Sequence, residues 1–202
     1  MKKFTEEVGI TGHLTIIKKF TDGTEEVHFD DHNIIVSGMG QGLAYLFNAS
    51  GSQTILDYQI DRFQVGVSGL TANELSSTYE LSGPLSSLEN YGTGSNLYIE
   101  NCDMITGLAL NTDDNFYALI QPDKITKIGE NSVRFTLVCD EEACNGLQGH
   151  FNEDALLSEA GLFFKNPAGR TTNASLLAAY RVFTPIYKTS DYSLIFRWTI
   201  NF

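Results

Sequence analysis

The last nine residues of the chain carry the feature that most restricts its fold, a regular alternation of large apolar side chains with other residues. The apolar positions are Leu194, Phe196, Trp198, Ile200 and Phe202. Alternate side chains of a β-strand point to opposite faces of its sheet, so this period of two predicts a strand with one heavily buried face. The same period occurs near residues 14–20, 63–67 and 133–139. Because the connections are too short for crossover helices, we expect antiparallel sheets.

Turn and helix signals appear near the N-terminus. The pair Asp22-Gly23 stands between two strand-like runs and predicts a hairpin in which residues near 13–20 pair with residues near 25–30. One short helix is expected near residues 38–48, with Ser37 as its N-cap. Its predicted apolar face consists of Met39, Leu43, Leu46 and Phe47. Glycines at 38, 40 and 42 count against this helix, since each costs about 1 kcal/mol relative to alanine in a helix interior. These signals predict a mainly β protein, an antiparallel, jelly-roll-like β-sandwich with one short helix.

Length and composition fit one soluble domain spanning residues 1–202. Of these residues 42% are hydrophobic, and a chain of this size can bury a substantial core. Thirteen Lys and Arg against 25 Asp and Glu give a net charge of −12, which disfavours binding to nucleic acid or to an anionic membrane surface. No apolar run approaches the roughly 20 residues of a membrane span, and the N-terminus lacks the apolar core of a secretory signal. We therefore expect a protein that is made in a cytoplasm and binds neither membrane nor nucleic acid.

Three motifs that contain glycine, serine or histidine resemble known functional motifs but match them only in part. The glycine-rich stretch 38–42 is followed by Leu43 where a dinucleotide-binding G-x-G-x-x-G pattern needs glycine. The stretch around Ser68 lacks the final glycine of a nucleophile elbow. His28 and His32 lie about 13 Å apart if their segment is extended, so a shared metal ion would require a turn. None of the three motifs predicts a site.

The acidic and cysteine-containing segments also match known metal-binding or catalytic motifs only in part. Residues 111–115 alternate oxygen ligands as a calcium loop does, yet the positions that follow lack the required glycine and glutamate. Cys139 and Cys144 have no recognised zinc spacing with the neighbouring acids. Paired carboxylates such as Glu153 and Glu159 can divide acid and base roles, but acidic residues are common in so negative a chain. The chain is therefore predicted to be no enzyme and to need no metal or cofactor.

The segment from about 68 to 97 is polar, with single leucines and tyrosines set among Gly, Ser, Thr and Asn. Long loops inside compact domains are usually functional or ordered by a partner. Isolated apolar side chains in such a loop have no core of their own to fill. We therefore predict an interface loop whose contact residues are Leu70, Leu75, Tyr79, Leu81, Leu85, Leu88 and Tyr91.

Three passages, taken in order, carry a resemblance to a known class of protein. The first is an Asn-x-Ile entry at residue 33 that leads from the opening hairpin into the helix. The second is a glycine-ended strand at 63–69 followed by a loop at 79–85. The third is a series of strand-like segments at 158–163, 176–180, 183–188 and 194–202. This order resembles small virion proteins of tailed bacteriophages, the β-sandwich modules of tail fibres, collars and baseplates. About half of the chain is covered, and residues 86–150 match nothing in that pattern.

The resemblance implies a structural component of a tailed-phage virion, located at the neck or collar, the tail or the baseplate. Such a protein is assembled in the cytoplasm of the bacterial host and forms a symmetric homo-oligomer, a ring or a trimer, that contacts other virion proteins. The resembled proteins end in a Trp-containing strand, which gives Trp198 and Phe202 structural roles. Glu159 is then expected to be at least partly buried and to need a hydrogen-bond donor such as Arg197.

Two alternative functions remain open. The first is a carbohydrate- or receptor-binding β-sandwich module of a tail fibre, with a glycan as partner. Exposed aromatic and amide side chains suit that role, and the candidates are Tyr79, Tyr91, Tyr98, Asn90 and Asn96. The second is an esterase or glycosidase, which needs an acid, base or nucleophile arrangement that the sequence does not display.

Overall fold

The computed structural model describes residues 9–35, 37–48, 58–66, 70–73, 78–81, 118–142, 145, 156–164 and 176–202. Within them the chain forms eleven strands, one α-helix and a 3-10 turn at Pro122–Lys124. The elements are β1 (Thr11–Phe20), β2 (Glu25–Ile35), α1 (Ser37–Phe47), β3 (Ile60–Gly66), β4 (Leu70–Asn73), β5 (Thr78–Leu81), β6 (Ala118–Leu119), β7 (Ile125–Lys127), β8 (Ser132–Cys139), β9 (Leu157–Phe164), β10 (Leu176–Ile186) and β11 (Tyr192–Asn201). No helix in these ranges is long and apolar enough to cross a membrane.

Nine of these strands form one antiparallel ladder in the order β6-β3-β9-β10-β2-β1-β11-β8-β7. The ladder divides into two sheets that share β2. Most of β2 pairs with β1, whereas Ile34 and Ile35 at its end pair with β10. We call β2-β1-β11-β8-β7 sheet A and β6-β3-β9-β10-β2 sheet B. The short connection from β6 to β7 runs from the free edge of sheet B to the free edge of sheet A.

The two sheets pack face to face through aromatic side chains. The ring of Phe63 in β3 lies 5.5 Å from the ring of Phe196 and 5.5 Å from that of Trp198, both in β11. Phe183 in β10 lies 6.1 Å from Phe196. Offset and edge-on ring pairs at such distances add to the free energy gained by burial. The antiparallel β-sandwich predicted from the sequence is confirmed.

The hairpin predicted at Asp22-Gly23 is present between β1 and β2. Gly23 has φ +88°, a left-handed conformation that glycine adopts without steric cost. The Asp22 carboxylate accepts hydrogen bonds from the backbone N–H of Thr24 (2.8 Å) and from its hydroxyl (2.6 Å). These bonds lower the pKa of Asp22, the Thr24 hydroxyl contributing most. The pairing runs from Lys19 and Glu25 at the turn towards the other end of both strands, as predicted.

The last strand buries its predicted face. Leu194, Phe196, Trp198 and Ile200 are all fully buried. Phe202 is 40% exposed and lies beyond the end of β11, where only its backbone N–H is held, by the carbonyl of Asn131 at 2.9 Å. The side chain of Phe202 is therefore not buried with the other four, because the ladder ends one residue earlier. Its structural role stays a prediction.

Helix α1 is confirmed, and its glycines explain how it packs. A Cβ on Gly38 would collide with the backbone carbonyl oxygen of Leu177, and one on Gly42 would lie 2.5 Å from the ring of Phe164. The first turns of the helix therefore approach β9 and β10 more closely than any other residue type allows, with Met39 buried beside them. Phe47 is 85% exposed. Its place on the buried face was predicted wrongly, because the last residue of the helix lies outside this contact.

Candidate assembly surfaces

Part of the predicted interface loop is a hairpin. Strand β4 pairs with β5, Leu70 lying opposite Leu81 and Ala72 opposite Tyr79. Three predicted contact residues therefore lie in these strands. The other four, Leu75, Leu85, Leu88 and Tyr91, lie outside the described residues. So do Tyr98, Asn90 and Asn96 of the alternative glycan site.

The β4–β5 hairpin forms a sheet of its own. Among the described strands β4 and β5 pair only with each other, apart from the nine-stranded ladder. A single two-stranded hairpin is marginally stable in water, and the outer edge of each strand offers backbone donors and acceptors for another strand. The hairpin is therefore a candidate contact surface.

Glu159 is fully buried, as expected from the sequence, but Arg197 is not its partner. The hydroxyl of Tyr180 in β10 donates a hydrogen bond to Glu159 Oε2 at 2.8 Å. Gly161 lies directly opposite Tyr180 in the ladder and has no side chain, which leaves room for the phenol ring to reach along β9. Arg197 alternates with the buried Phe196 and Trp198 and lies on the outer side of sheet A. The Glu159–Tyr180 pair could be predicted from the sequence only if the register between β9 and β10 were known.

The environment of Tyr180 disfavours its phenolate. Burial raises the pKa of Tyr180 far above its ordinary value, and the negative charge of Glu159 together with the hydrogen bond to it raises that pKa further. The hydroxyl therefore keeps its proton and donates a hydrogen bond to the carboxylate. This pair stabilises the packing of β9 against β10, and the phenol of Tyr180 stays neutral at neutral pH.

A buried lysine joins two connections at one end of the molecule. Nζ of Lys188 donates to the carbonyl of Thr189 at 2.7 Å and to Asn145 Oδ1 at 3.0 Å. It also lies 5.3 Å from the ring centre of Tyr192, within reach of a cation–π interaction. The Tyr192 hydroxyl donates to the carbonyl of Tyr187 at 2.5 Å. With its charge engaged in this way, Lys188 ties residue 145 to the β10–β11 connection.

The outer side of sheet A carries a small cluster of histidines and an acid. The rings of His13 and His32 meet edge to face with centres 5.4 Å apart. Asp30 accepts a hydrogen bond from the Thr15 hydroxyl at 2.6 Å and lies 3.6 Å from His13 Nδ1. His28 instead has Nε2 3.0 Å from the carbonyl of Thr184, away from His32.

The described part of the chain contains no group of three or more His, Cys, Asp or Glu side chains that could hold a metal ion. Cys139 is a buried free thiol, whereas Cys144, with which it was considered as a zinc ligand, lies outside the described residues.

A row of apolar side chains crosses the same outer side of sheet A. In the ladder Val27 lies opposite Ile17, Ile17 opposite Ile195, and Ile195 opposite Val138. We call these four residues the apolar row. The row is not evident from the sequence, because its four residues belong to four strands that are aligned only by the register of the ladder. The available signal was a break in alternation, two consecutive apolar residues at Ile16-Ile17, Leu194-Ile195 and Leu137-Val138.

No protein-family model matches this chain, and neither the curated proteins nor the solved structures contain a match to it. The fold and its surfaces define an antiparallel β-sandwich with a separate hairpin and an apolar row on one outer side.

Proposed function

We propose that this chain is a structural component of a tailed-phage virion, at the neck or collar, the tail or the baseplate, and that it works by contact with copies of itself and with neighbouring virion proteins. The observation that carries the assembly role is the β4–β5 hairpin, which lies in the segment predicted as an interface and forms a sheet apart from the sandwich. The virion assignment rests on the order of the sequence passages described above.

A neighbouring subunit can stabilise this hairpin in two ways. It can add a strand to an outer edge of β4 or β5, satisfying backbone N–H and C=O groups. It can also cover a face of a two-stranded sheet that is too small to stabilise itself. Both modes leave the nine-stranded ladder unchanged, so a β-sandwich with this hairpin can fold first and assemble afterwards.

The test of this proposal uses purified particles of the phage that encodes the chain. We expect mass spectrometry to detect the chain in them. A zero-length carbodiimide reagent is expected to join Glu80 of β5 to lysines of adjacent virion proteins. Particles that lack the chain would refute the virion assignment. Cross-links confined to residues far from the hairpin would refute the hairpin as the contact.

A hairpin-replacement variant provides the matched experiment. Residues 70–81 are replaced by a Gly-Ser linker of equal length, which leaves every pairing of the nine-stranded ladder in place. We expect the variant to keep its far-ultraviolet circular-dichroism spectrum and its cooperative unfolding, and to be lost from assembled particles. Normal incorporation of this variant would contradict the proposed role of the hairpin.

A further inference from the structure

Lys188 places a primary amine in the interior of the molecule, where the residue is 2% exposed. Its Nζ donates to two backbone carbonyls, those of Thr189 at 2.7 Å and Glu141 at 3.4 Å. The first belongs to the β10–β11 connection and the second to the segment that follows β8. Burial disfavours the charged form of an amine, and the uncharged amine is a nucleophile. Lys188 therefore holds a nucleophilic group in a fixed position.

The side-chain amide of Asn145 faces this amine. Its Oδ1 accepts a hydrogen bond from Lys188 Nζ at 3.0 Å, and its Nδ2 donates one to the Glu141 carbonyl at 2.6 Å. These two bonds fix the amide with its carbonyl group towards the amine. Cγ lies one C=O bond, about 1.2 Å, from Oδ1, so it is at most about 4.2 Å from Nζ. Because atoms about to react lie about 3–3.5 Å apart, a shift of less than about 1 Å brings Nζ and Cγ together.

We propose that the side chains of Lys188 and Asn145 form an intramolecular amide bond. The lone pair of the uncharged Nζ attacks Cγ, the Cγ–Nζ bond forms, and the Cγ–Nδ2 bond breaks. Nδ2 takes up one proton from Nζ and leaves as ammonia. Counting the proton that the ammonium form of the lysine first releases, one ammonium ion is lost for each amide formed. The reaction needs no oxidant and no other co-reactant.

The surroundings of the pair suit this reaction. Nζ and Nδ2 donate to the same oxygen, that of the Glu141 carbonyl, so the nitrogen that gives up a proton lies near the nitrogen that receives it. Asn145 is exposed, which lets ammonia leave into the solvent. The ring of Tyr192 lies 5.3 Å from Nζ, and its hydroxyl is held by the carbonyl of Tyr187. The site therefore covers the nucleophile and is open on the side of the leaving group.

The amide bond joins two positions that are 43 residues apart in the sequence. It limits the conformations of the unfolded chain as a disulfide does, but a reductant does not open it. The inference goes beyond the proposed function and does not depend on it, since the bond forms within one chain whether or not that chain enters a virion.

Intact-mass spectrometry of the purified full-length chain tests the bond. The protein is first kept at about pH 9, where a larger fraction of lysine side chains is uncharged than at neutral pH. We expect a mass about 17 Da below that of the sequence, because one ammonia is lost. In a trypsin digest residues 135–165 and 182–197 should appear as one branched peptide, because trypsin no longer cleaves after an amidated Lys188.

Three variants identify the reacting groups. Lys188→Arg keeps a positive charge but has no amine, and Asn145→Ala has no amide, so both should show the full mass of their sequences. Lys18→Arg is the matched control, because Lys18 Nζ lies 5.4 Å from the same Tyr192 ring and is not part of the proposed bond. We expect this variant to lose ammonia like the wild type. Circular dichroism checks that all three variants are folded.

The same measurements distinguish a competing reaction of Asn145. Gly146 follows it in the sequence, and attack of the Gly146 backbone nitrogen on Cγ also releases ammonia and gives a succinimide. A loss of ammonia that persists in Lys188→Arg, or that leaves the two tryptic peptides separate, overturns the proposed bond. A wild type with the full mass of its sequence overturns it as well. A branched peptide that is present in wild type and Lys18→Arg and absent from the other two variants supports it, whether or not the chain is found in particles.

Discussion

Tyr180 and Glu159 form a hydrogen-bonded pair in which both residues are fully buried. Removing the donor leaves a buried carboxylate short of one partner, a change that typically costs about 1–3 kcal/mol. We therefore expect Tyr180→Phe to lower the free energy of unfolding by that amount in urea denaturation. Tyr187→Phe is the control, because Tyr187 is 44% exposed and the same deletion there should change stability by less than about 0.5 kcal/mol. Equal effects of the two variants would contradict this assignment.

The same pair predicts a loss of stability in alkali. The pKa of Tyr180 is raised in the folded protein by burial and by Glu159, whereas the unfolded chain releases this proton near pH 10. The contribution to stability is thus complete below about pH 10 and decreases as pH rises further, by at most about 1.4 kcal/mol per pH unit. Urea midpoints at pH 8, 10 and 11 should fall less steeply for Tyr180→Phe than for wild type. Some slope should remain, because burial also raises the pKa of Tyr192. A slope equal to that of wild type would contradict the prediction.

At the scale of the element, the three glycines of α1 predict opposite responses to one substitution. Alanine is favoured over glycine in a helix by about 1 kcal/mol. Gly40 has open space around it, so Gly40→Ala should raise the unfolding free energy by up to that amount. Gly38→Ala and Gly42→Ala should lower it, because a methyl group meets the Leu177 carbonyl or the buried Phe164 ring. Thermal unfolding of the three variants measures the signs. Stabilisation by all three would show that the helix does not pack this closely.

The elements show which structural features can be read from a single sequence. The β1–β2 hairpin was predicted because Asp22 and Gly23 encode their turn locally, and β11 because its alternation is uninterrupted. Glu159 was correctly expected to be buried, but its partner depends on a register between strands distant in sequence. The apolar row could not be predicted for the same reason, since Val27 and Val138 are brought to one level only by the pairing of four strands. Gly38 and Gly42 were counted against the helix because the reason for them, close contact of the helix with β10 and β9, is a tertiary feature.

At the scale of the whole molecule, sheet A joins distant parts of the chain. Thr11 and Asn201, 190 positions apart, lie side by side, with the Asn201 amide 3.4 Å from the Thr11 hydroxyl. Proteins dominated by such non-local pairings fold in milliseconds to seconds. Trp198 is the single tryptophan and lies between the two sheets, so its fluorescence should report their docking. We expect stopped-flow refolding to recover this signal in that time range, together with the strand signal in circular dichroism. Full recovery within microseconds would contradict the prediction.

Since β1 begins where β11 ends, the sandwich also admits a different order of the same strands. A short linker from Asn201 to Thr11, with the chain opened at Asp22-Gly23, would give a circular permutant in which β11 and β1 form a local hairpin. The loop closed to pair these strands shrinks from most of the chain to a few residues, which lowers its entropic cost. Opening the first hairpin makes the β1–β2 pairing non-local in exchange, so the permutant should reach the same architecture with β11–β1 in place of β1–β2 as its local hairpin.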